Sequence, residues 1–236
     1  MVSLPDKDLV VTPLQHAQAL RAARTFTLAF GNDPLMRYLT SNRSVKELFQ
    51  HGEEAFMTVI MNLWILRRIT LTVESGRGIL VATPDRATAK AHNYANTVVD
   101  WLTTTLFHAV GALGTADERQ RRQEVHTKIH DAATTAFGNR LEDMYFLDVL
   151  AVEPESKGLG YDDALLSTFA SIAKLTHKAI WLHTSNPAHH RFYETHGFRR
   201  VARLVIGDQN PNWHEPPVIT YILSLQPGQY KPTETL

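Results

Sequence analysis

Apolar positions along the chain follow two periods in turn. Leu14, Ala17, Leu20, Ala23, Phe26 and Ala29 recur at helical spacing, which predicts a helix over 14–30 behind a short strand at 10–12. Gly31-Asn32-Asp33-Pro34 stops that helix, because the residue before a proline avoids helical dihedrals. A short segment follows at 35–39. Ser44 with Glu47 has the form of a capping box and opens a long helix to about Leu66. Its run MTVIMNLWILRR, from Met57, is too short to span a bilayer and reads as buried. Ile69-Thr-Leu-Thr-Val73 alternates and GILVAT follows from Gly78, two strands joined by a turn at 74–77.

Helical spacing returns over 94–137 in two pieces divided at 111–114, the second capped by Thr115 with Glu118. The charged run at 117–124 reads as a solvated helix face. MYFLDVLAV, at 144–152, is nearly all apolar and so predicts a central strand, interrupted by Asp148. A helix at 163–175 presents Leu165, Leu166, Phe169, Ile172 and Ala173 on one face. A strand from Ala179, a helix at 186–196 and strands near 201–206 and 218–225 complete the chain. This order predicts one α/β domain over 1–236. A mixed, largely antiparallel sheet is flanked by helices, with a helical insertion over 94–137 before the central strand.

Composition narrows the function classes. In 236 residues, 24 basic side chains balance 24 acidic ones, which argues against nucleic acid or an anionic membrane as partner. The absence of cysteine removes disulfides, thiolate metal sites and thiol nucleophiles, and fits a reducing compartment. The N-terminus has no basic start before a long apolar run, so a soluble cytoplasmic protein is expected, monomer or homodimer. The histidines show no metal-ligand spacing with a third donor: His189 and His190 are adjacent and diverge on a helix, and His126 and His130 lie on an exposed one. No metal is expected.

Two segments carry a family resemblance. LDVLAVEPESKGLGYDDALL has a strand, a Val-x-Pro turn, a glycine-rich loop and a helix. WLHTSNPAHHRFYETHGF has a strand, an asparagine, a helix and a closing Tyr-x-x-x-Gly-Phe. Together, over 145–200, they resemble the GNAT (Gcn5-related) N-acetyltransferases. The resemblance implies a splayed sheet whose gap admits pantetheine, with acetyl-CoA as co-substrate and a small-molecule amine as acceptor. It implies backbone pairing of pantetheine at Leu150 and Val152, and a pyrophosphate cradle over Lys157, Gly158, Leu159, Gly160, Tyr161, Asp162 and Asp163. Asn186 would bond the pantetheine arm, and Tyr193 would return a proton to the thiolate. The acceptor pocket would fall around Asn32, Asp33 and Tyr38, with His183 lining it, and Asp148 would take the amine proton.

The loop departs from the family pattern Gln/Arg-x-x-Gly-x-Gly/Ala. Anchored on Val152-x-Pro154 and on Ala164-Leu-Leu166, the pattern puts Lys157 at the Gln/Arg position, Gly160 at the first glycine and Asp162 at the second. A carboxylate there opposes phosphate at a helix N-terminus. Either the side chains of Asp162 and Asp163 turn outward, or the cradle is weakened. In the second case a GNAT-like fold would do CoA-independent acid/base chemistry, as an isomerase, cyclase or decarboxylase, or serve as a non-catalytic binding protein. Other residues have two readings as well. Asp148 is a base or a carboxylate paired to an arginine, and Glu142 and Asp143 are weaker candidates for a base at the start of the same strand. Asn186 before Pro187 is also a helix cap. Tyr193 could simply pack on the sheet, and Trp213 packs or borders the cleft.

Overall fold

The computed structural model describes residues 9–40, 52–86, 105 and 115–232. The proposed Ser44 cap and the first piece of the insertion, to 114, lie outside them apart from residue 105. Seven strands form one sheet in the order β1-β2-β3-β4-β5-β7-β6. They are β1 (Val11–Pro13), β2 (Ile69–Val73), β3 (Gly78–Thr83), β4 (Tyr145–Val152), β5 (Ile180–Thr184), β6 (Arg199–Ile206) and β7 (Val218–Leu225). Every pairing is antiparallel except β4 with β5, so the sheet is mixed as the sequence predicts.

Helices cover both faces. One face carries α1 (Ala19–Phe30), α2 (Pro34–Thr40), α3 (Glu53–Arg67) and α4 (Ala116–Phe137). The other carries α5 (Tyr161–Leu175) and, through Tyr193, α6 (Pro187–Thr195). The alternation of β7 shows the division: Val218 and Ile222 pack toward α2 and α4, Leu223 and Leu225 toward α5. Under α5, Leu165, Leu166 and Phe169 are fully buried against Leu80, Leu147 and Leu182. This is the stripe that helical spacing marks out.

The far side of the sheet corrects the sequence reading of α4. Thr115 and Glu118 form the expected capping box, but the run at 117–124 is no solvated face. Arg121 is 3% exposed and Glu118 1%. The Arg121 guanidinium pairs with Asp117 at 2.7 Å and donates to the carbonyls of Tyr38 (3.0 Å) and Asn212 (3.2 Å). It also lies over the rings of Tyr38 and Trp213. One turn on, Glu124 accepts from the Tyr38 hydroxyl, the Gly207 N–H and Lys128, which in turn reaches Asp208 and the Val205 carbonyl. Gly207 is required where the loop after β6 passes α2. Its φ is +79°, and a Cβ there would stand 2.8 Å from the Tyr38 ring. These bonds fasten α2 and the β6–β7 loop to α4.

Candidate active site

β4 and β5 lie side by side at only two registers, Tyr145 with Ile180 and Phe146 with Trp181. Beyond them the strands part, and the β5-facing edge of β4 past Phe146 has no ladder partner among the described residues. On its other edge β4 pairs Val149 with Val81 but Leu147 with Ala82, so Asp148 is an extra, bulged residue. The bulge switches the side chains between faces. Tyr145 and Leu147 point toward α5 before it, and Leu150 and Val152 do so after it, while Val149 and Ala151 face α1 and α3. The backbone of Leu150 and Val152 is thereby left along the open edge.

The loop after β4 turns through Gly158 at φ +79° and Gly160 at φ +74°. Both conformations are left-handed, and a Cβ at Gly158 would meet nothing within 4 Å. Helix α5 starts at Tyr161 with Gly160 as its N-cap, so no side chain caps it from that position. This start supports the alignment that makes Gly160 the first glycine of the loop. Of the residues in the implied cradle, Lys157 and Leu159 are exposed, whereas the Tyr161 ring is buried in the α5 cluster and offers a ligand only its backbone.

The two aspartates take different partners. Asp162 does not simply turn outward: its Oδ1 accepts the N–H of Asp163 at 3.1 Å, on the first turn of α5. Asp163 turns away to His196 Nε2 at 2.6 Å, and His196 Nδ1 faces the Phe192 carbonyl at 2.7 Å. That buried histidine ties the end of α6 to the start of α5.

Asn186 caps α6, accepting from the Ala188 N–H at 2.9 Å. Its Nδ2 has no partner among the described residues. Tyr193 packs edge-on against Phe192 and Phe198. Its hydroxyl makes no hydrogen bond among the described residues. Burial, with the nearby charge of Asp162, pushes the phenol well above its usual pKa. Asp148 has the arginine partner. The Arg68 guanidinium, stacked on Trp64, binds Oδ1, and the Thr83 hydroxyl donates to Oδ2 at 2.7 Å. Burial pushes the Asp148 carboxyl up, against the pull of Arg68 and of Thr83.

On the other side of the gap, Asp33 caps α2. Its Oδ1 accepts the N–H groups of Leu35 (2.9 Å) and Met36 (3.0 Å), and its carboxylate takes the Ser185 hydroxyl at 3.0 Å. Asn32 is exposed in the turn before α2. His183, Phe146 and Trp181 form a stacked group: centroids of Phe146 and Trp181 are 4.3 Å apart, and those of Phe146 and His183 are 5.7 Å apart. Burial pushes His183 down to about 4, partly opposed by Asp33.

Two expectations change, and of the two readings of Trp213 the packing one holds. Tyr38 is 0% exposed, and its hydroxyl is spent on Glu124, so it braces the acceptor side from within rather than lining it. Glu142 and Asp143 do not begin the strand. They close a 3-10 turn (Gly138–Asp143), where Glu142 pairs with Arg86 at the surface. Trp213 packs edge-on to Tyr38 at 5.0 Å, inside the α2–α4 cluster. Arg68, Thr83 and Ser185 were missed. A carboxylate in an apolar strand demands a donor, but nothing in the sequence says which arginine the fold brings to it. Among the described residues no three metal-ligating side chains converge, and no helix is long and apolar enough to cross a membrane.

No protein-family profile matches the chain, and no curated protein matches its sequence. Solved structures do match its shape. Mosquito arylalkylamine N-acetyltransferase like 5b is similar with a TM-score of 0.61 at 12% identity, over 93% of this chain and 100% of that one. A Drosophila melanogaster polyamine N-acetyltransferase that forms N-acetylagmatine gives 0.59 at 15% identity, over 93% and 100%. A histone acetyltransferase and related acetyltransferase from Corynebacterium glutamicum gives 0.56 at 15% identity, over 96% and 99%. At these identities the likeness is one of architecture, and it agrees with the parted β4 and β5 and the glycine loop: the chain has the GNAT acetyltransferase fold.

Proposed function

We propose that the protein is an acyl-CoA-dependent N-acetyltransferase acting on a small amine-bearing metabolite or xenobiotic. The observation that carries this reading is the parting of β4 from β5 after two residue pairs, beside an uncapped glycine loop. Pantetheine would pair with the free edge of β4 at Leu150 and Val152 as a missing strand. Its pyrophosphate would meet the N–H groups of the loop and of α5's first turn, with Lys157 as counter-charge. Asn186 would donate its free amide to the pantetheine arm. Tyr193, its hydroxyl unengaged, would give its proton to the thiolate. Burial keeps the phenol protonated until an equally buried sulfur anion competes for that proton. The arylalkylamines and polyamines named for similar structures are the first acceptors to try.

One observation favours a second reading. The Asp162 carboxylate holds an N–H that a phosphate would use. If that carboxylate excludes the donor, the cleft does acid/base chemistry without CoA, as an isomerase, cyclase or decarboxylase would. Calorimetric titration with acetyl-CoA, with desulfo-CoA as control, separates the two. One-to-one binding in the micromolar range, followed by thiol release with an amine panel, supports acyl transfer. No binding up to millimolar donor sinks it and leaves the second reading.

A further inference from the structure

The gap between β4 and β5 opens on two faces of the sheet, and they carry different groups. Tyr193 belongs to the cluster under α5, with Phe169 and Phe198. Phe146, Trp181 and His183 are stacked on the opposite face, which Trp181 identifies by packing against Phe137 of α4. Acyl transfer through the gap needs a proton acceptor where the amine enters and a proton donor where the thiolate leaves. Tyr193 can be the donor, so the acceptor belongs on the α2–α4 face.

Three side chains by the gap on that side can hold a proton, and one of them, Asp33, is already taken up by the N–H groups of Leu35 and Met36 and by the Ser185 hydroxyl. Asp148 is the one the sequence suggests, but both its oxygens are engaged, Oδ1 by Arg68 and Oδ2 by Thr83. Protonating it would break the ion pair and leave a half-buried guanidinium against Trp64 without its counter-ion. His183 has no such obligation. Its imidazole stacks on Phe146 and makes no hydrogen bond among the described residues. A neutral imidazole there keeps one ring nitrogen as a lone-pair acceptor.

We infer that His183, and not Asp148, takes the proton of the attacking amine. The inference rests on the acyl-transfer reading. The neutral amine nitrogen bonds to the thioester carbonyl carbon, and its N–H proton passes to the free ring nitrogen of His183. As the C–S bond breaks, sulfur keeps the electron pair and takes the phenolic proton of Tyr193. The imidazolium releases its proton to water and the phenolate takes one back, so amine and thioester become amide and thiol. Burial lowers the basicity of the imidazole, so His183 takes the proton as the forming C–N bond makes the nitrogen cationic and acidic. Asp148 then acts as a positioning residue that holds Arg68 and the bulge of β4.

The test follows thiol release from acetyl-CoA with a primary arylalkylamine and an alkyl diamine, on the full chain, resolving kcat from KM. His183→Ala should lower kcat about 100-fold or more with the donor KM little changed, and added imidazole should restore turnover saturably. His183→Gln, which refills the space, should be as slow but not rescued, and it stands in if the alanine variant folds poorly. Asp148→Asn should lose less kcat than either and more thermal stability. Unaltered kcat in His183→Ala, or a larger loss in Asp148→Asn, overturns the assignment while leaving acyl transfer intact. No turnover of any amine by the unmodified protein overturns acyl transfer, and this assignment with it.

Discussion

Under α5 the sheet is covered by Leu165, Leu166 and Phe169, whose partners are apolar. Across the sheet, α4 reaches α2 and the β6–β7 loop through Arg121, Glu124 and Lys128, a set of charges set among Tyr38, Ile129 and Trp213. Apart from the Asp163–His196 contact at its first turn, the attachment of α5 is apolar and carries no charge of its own, which suits the face that would hold a highly charged donor. The ionic one supports the acceptor side and depends on charge. Two truncations should cost the most and match in size while differing in kind. Phe169→Ala empties a fully buried site and should cost about 3–5 kcal/mol. Arg121→Ala leaves Asp117 and two carbonyls without their buried donor and should cost about 3–5 kcal/mol. Denaturant titrations at low and high salt sharpen the contrast, since only the arginine variant should change its deficit. Equal salt responses would break it.

The donor face also carries Tyr193, the proposed acid. Tyr193→Phe removes a hydroxyl with no partner among the described residues, so folding stability should hold. Single-turnover measurement should show kcat lower by about 100-fold, close to 2.7 kcal/mol. A variant as fast as the parent would make Tyr193 a packing residue.

On the ionic face Glu124 gives the contrast a pH signature. Burial would raise its carboxyl, but hydrogen bonds from Lys128, Tyr38 and Gly207 outweigh that and hold it below its usual 4.5. A carboxyl depressed on folding adds stability that is complete above the unfolded pKa and is lost as pH falls through the lower folded one. Melting temperature should therefore fall below about pH 4.5, and Glu124→Gln should flatten that slope at a cost of about 1–2 kcal/mol at neutral pH. Tyr38, pushed up to about 12 by burial and by Glu124, stays protonated throughout.

The same contrast explains what could be read in advance. Periodicity finds α5 and β4 because their partners are apolar, and any apolar partner satisfies a stripe. It does not group Gly160, Asn186 and Tyr193; only the family resemblance of the two motifs implies that they share one gap. Periodicity fails on α4, where Glu118 and Arg121 have the composition of a solvated helix but are buried, Glu118 in the capping box with Thr115 and Arg121 against partners far off in the chain, at Tyr38 and Asn212. Asp148 fails for the same reason. Its need for a cation is legible, but Arg68 comes from the end of α3, eighty positions away. The β-bulge that turns Asp148 toward Arg68 leaves no mark in the alternation of MYFLDVLAV. Tyr38, read as a pocket residue, and Trp213, read as packing or bordering the cleft, are the rings on which Arg121 rests.

The smallest expected effect concerns one charge at the loop and first turn of the donor face. Asp162 opposes a phosphate in two separable ways, by its negative charge and by holding the Asp163 N–H at 3.1 Å. Asp162→Asn removes the charge and keeps an oxygen on that N–H, whereas Asp162→Gly removes both. Each term should be worth about 0.5–1 kcal/mol at a partly exposed first turn. Acetyl-CoA should then bind severalfold tighter to the asparagine variant and about tenfold tighter to the glycine variant, read by calorimetry. Glycine lowers helix stability there by up to about 1 kcal/mol, so a small fall in melting temperature should accompany the tighter binding. Equal gains in the two variants would assign the whole effect to charge. No gain in either would mean that the phosphates pass the carboxylate without meeting it, and that α5 receives its ligand on the N–H groups of Gly158, Gly160 and Tyr161 alone.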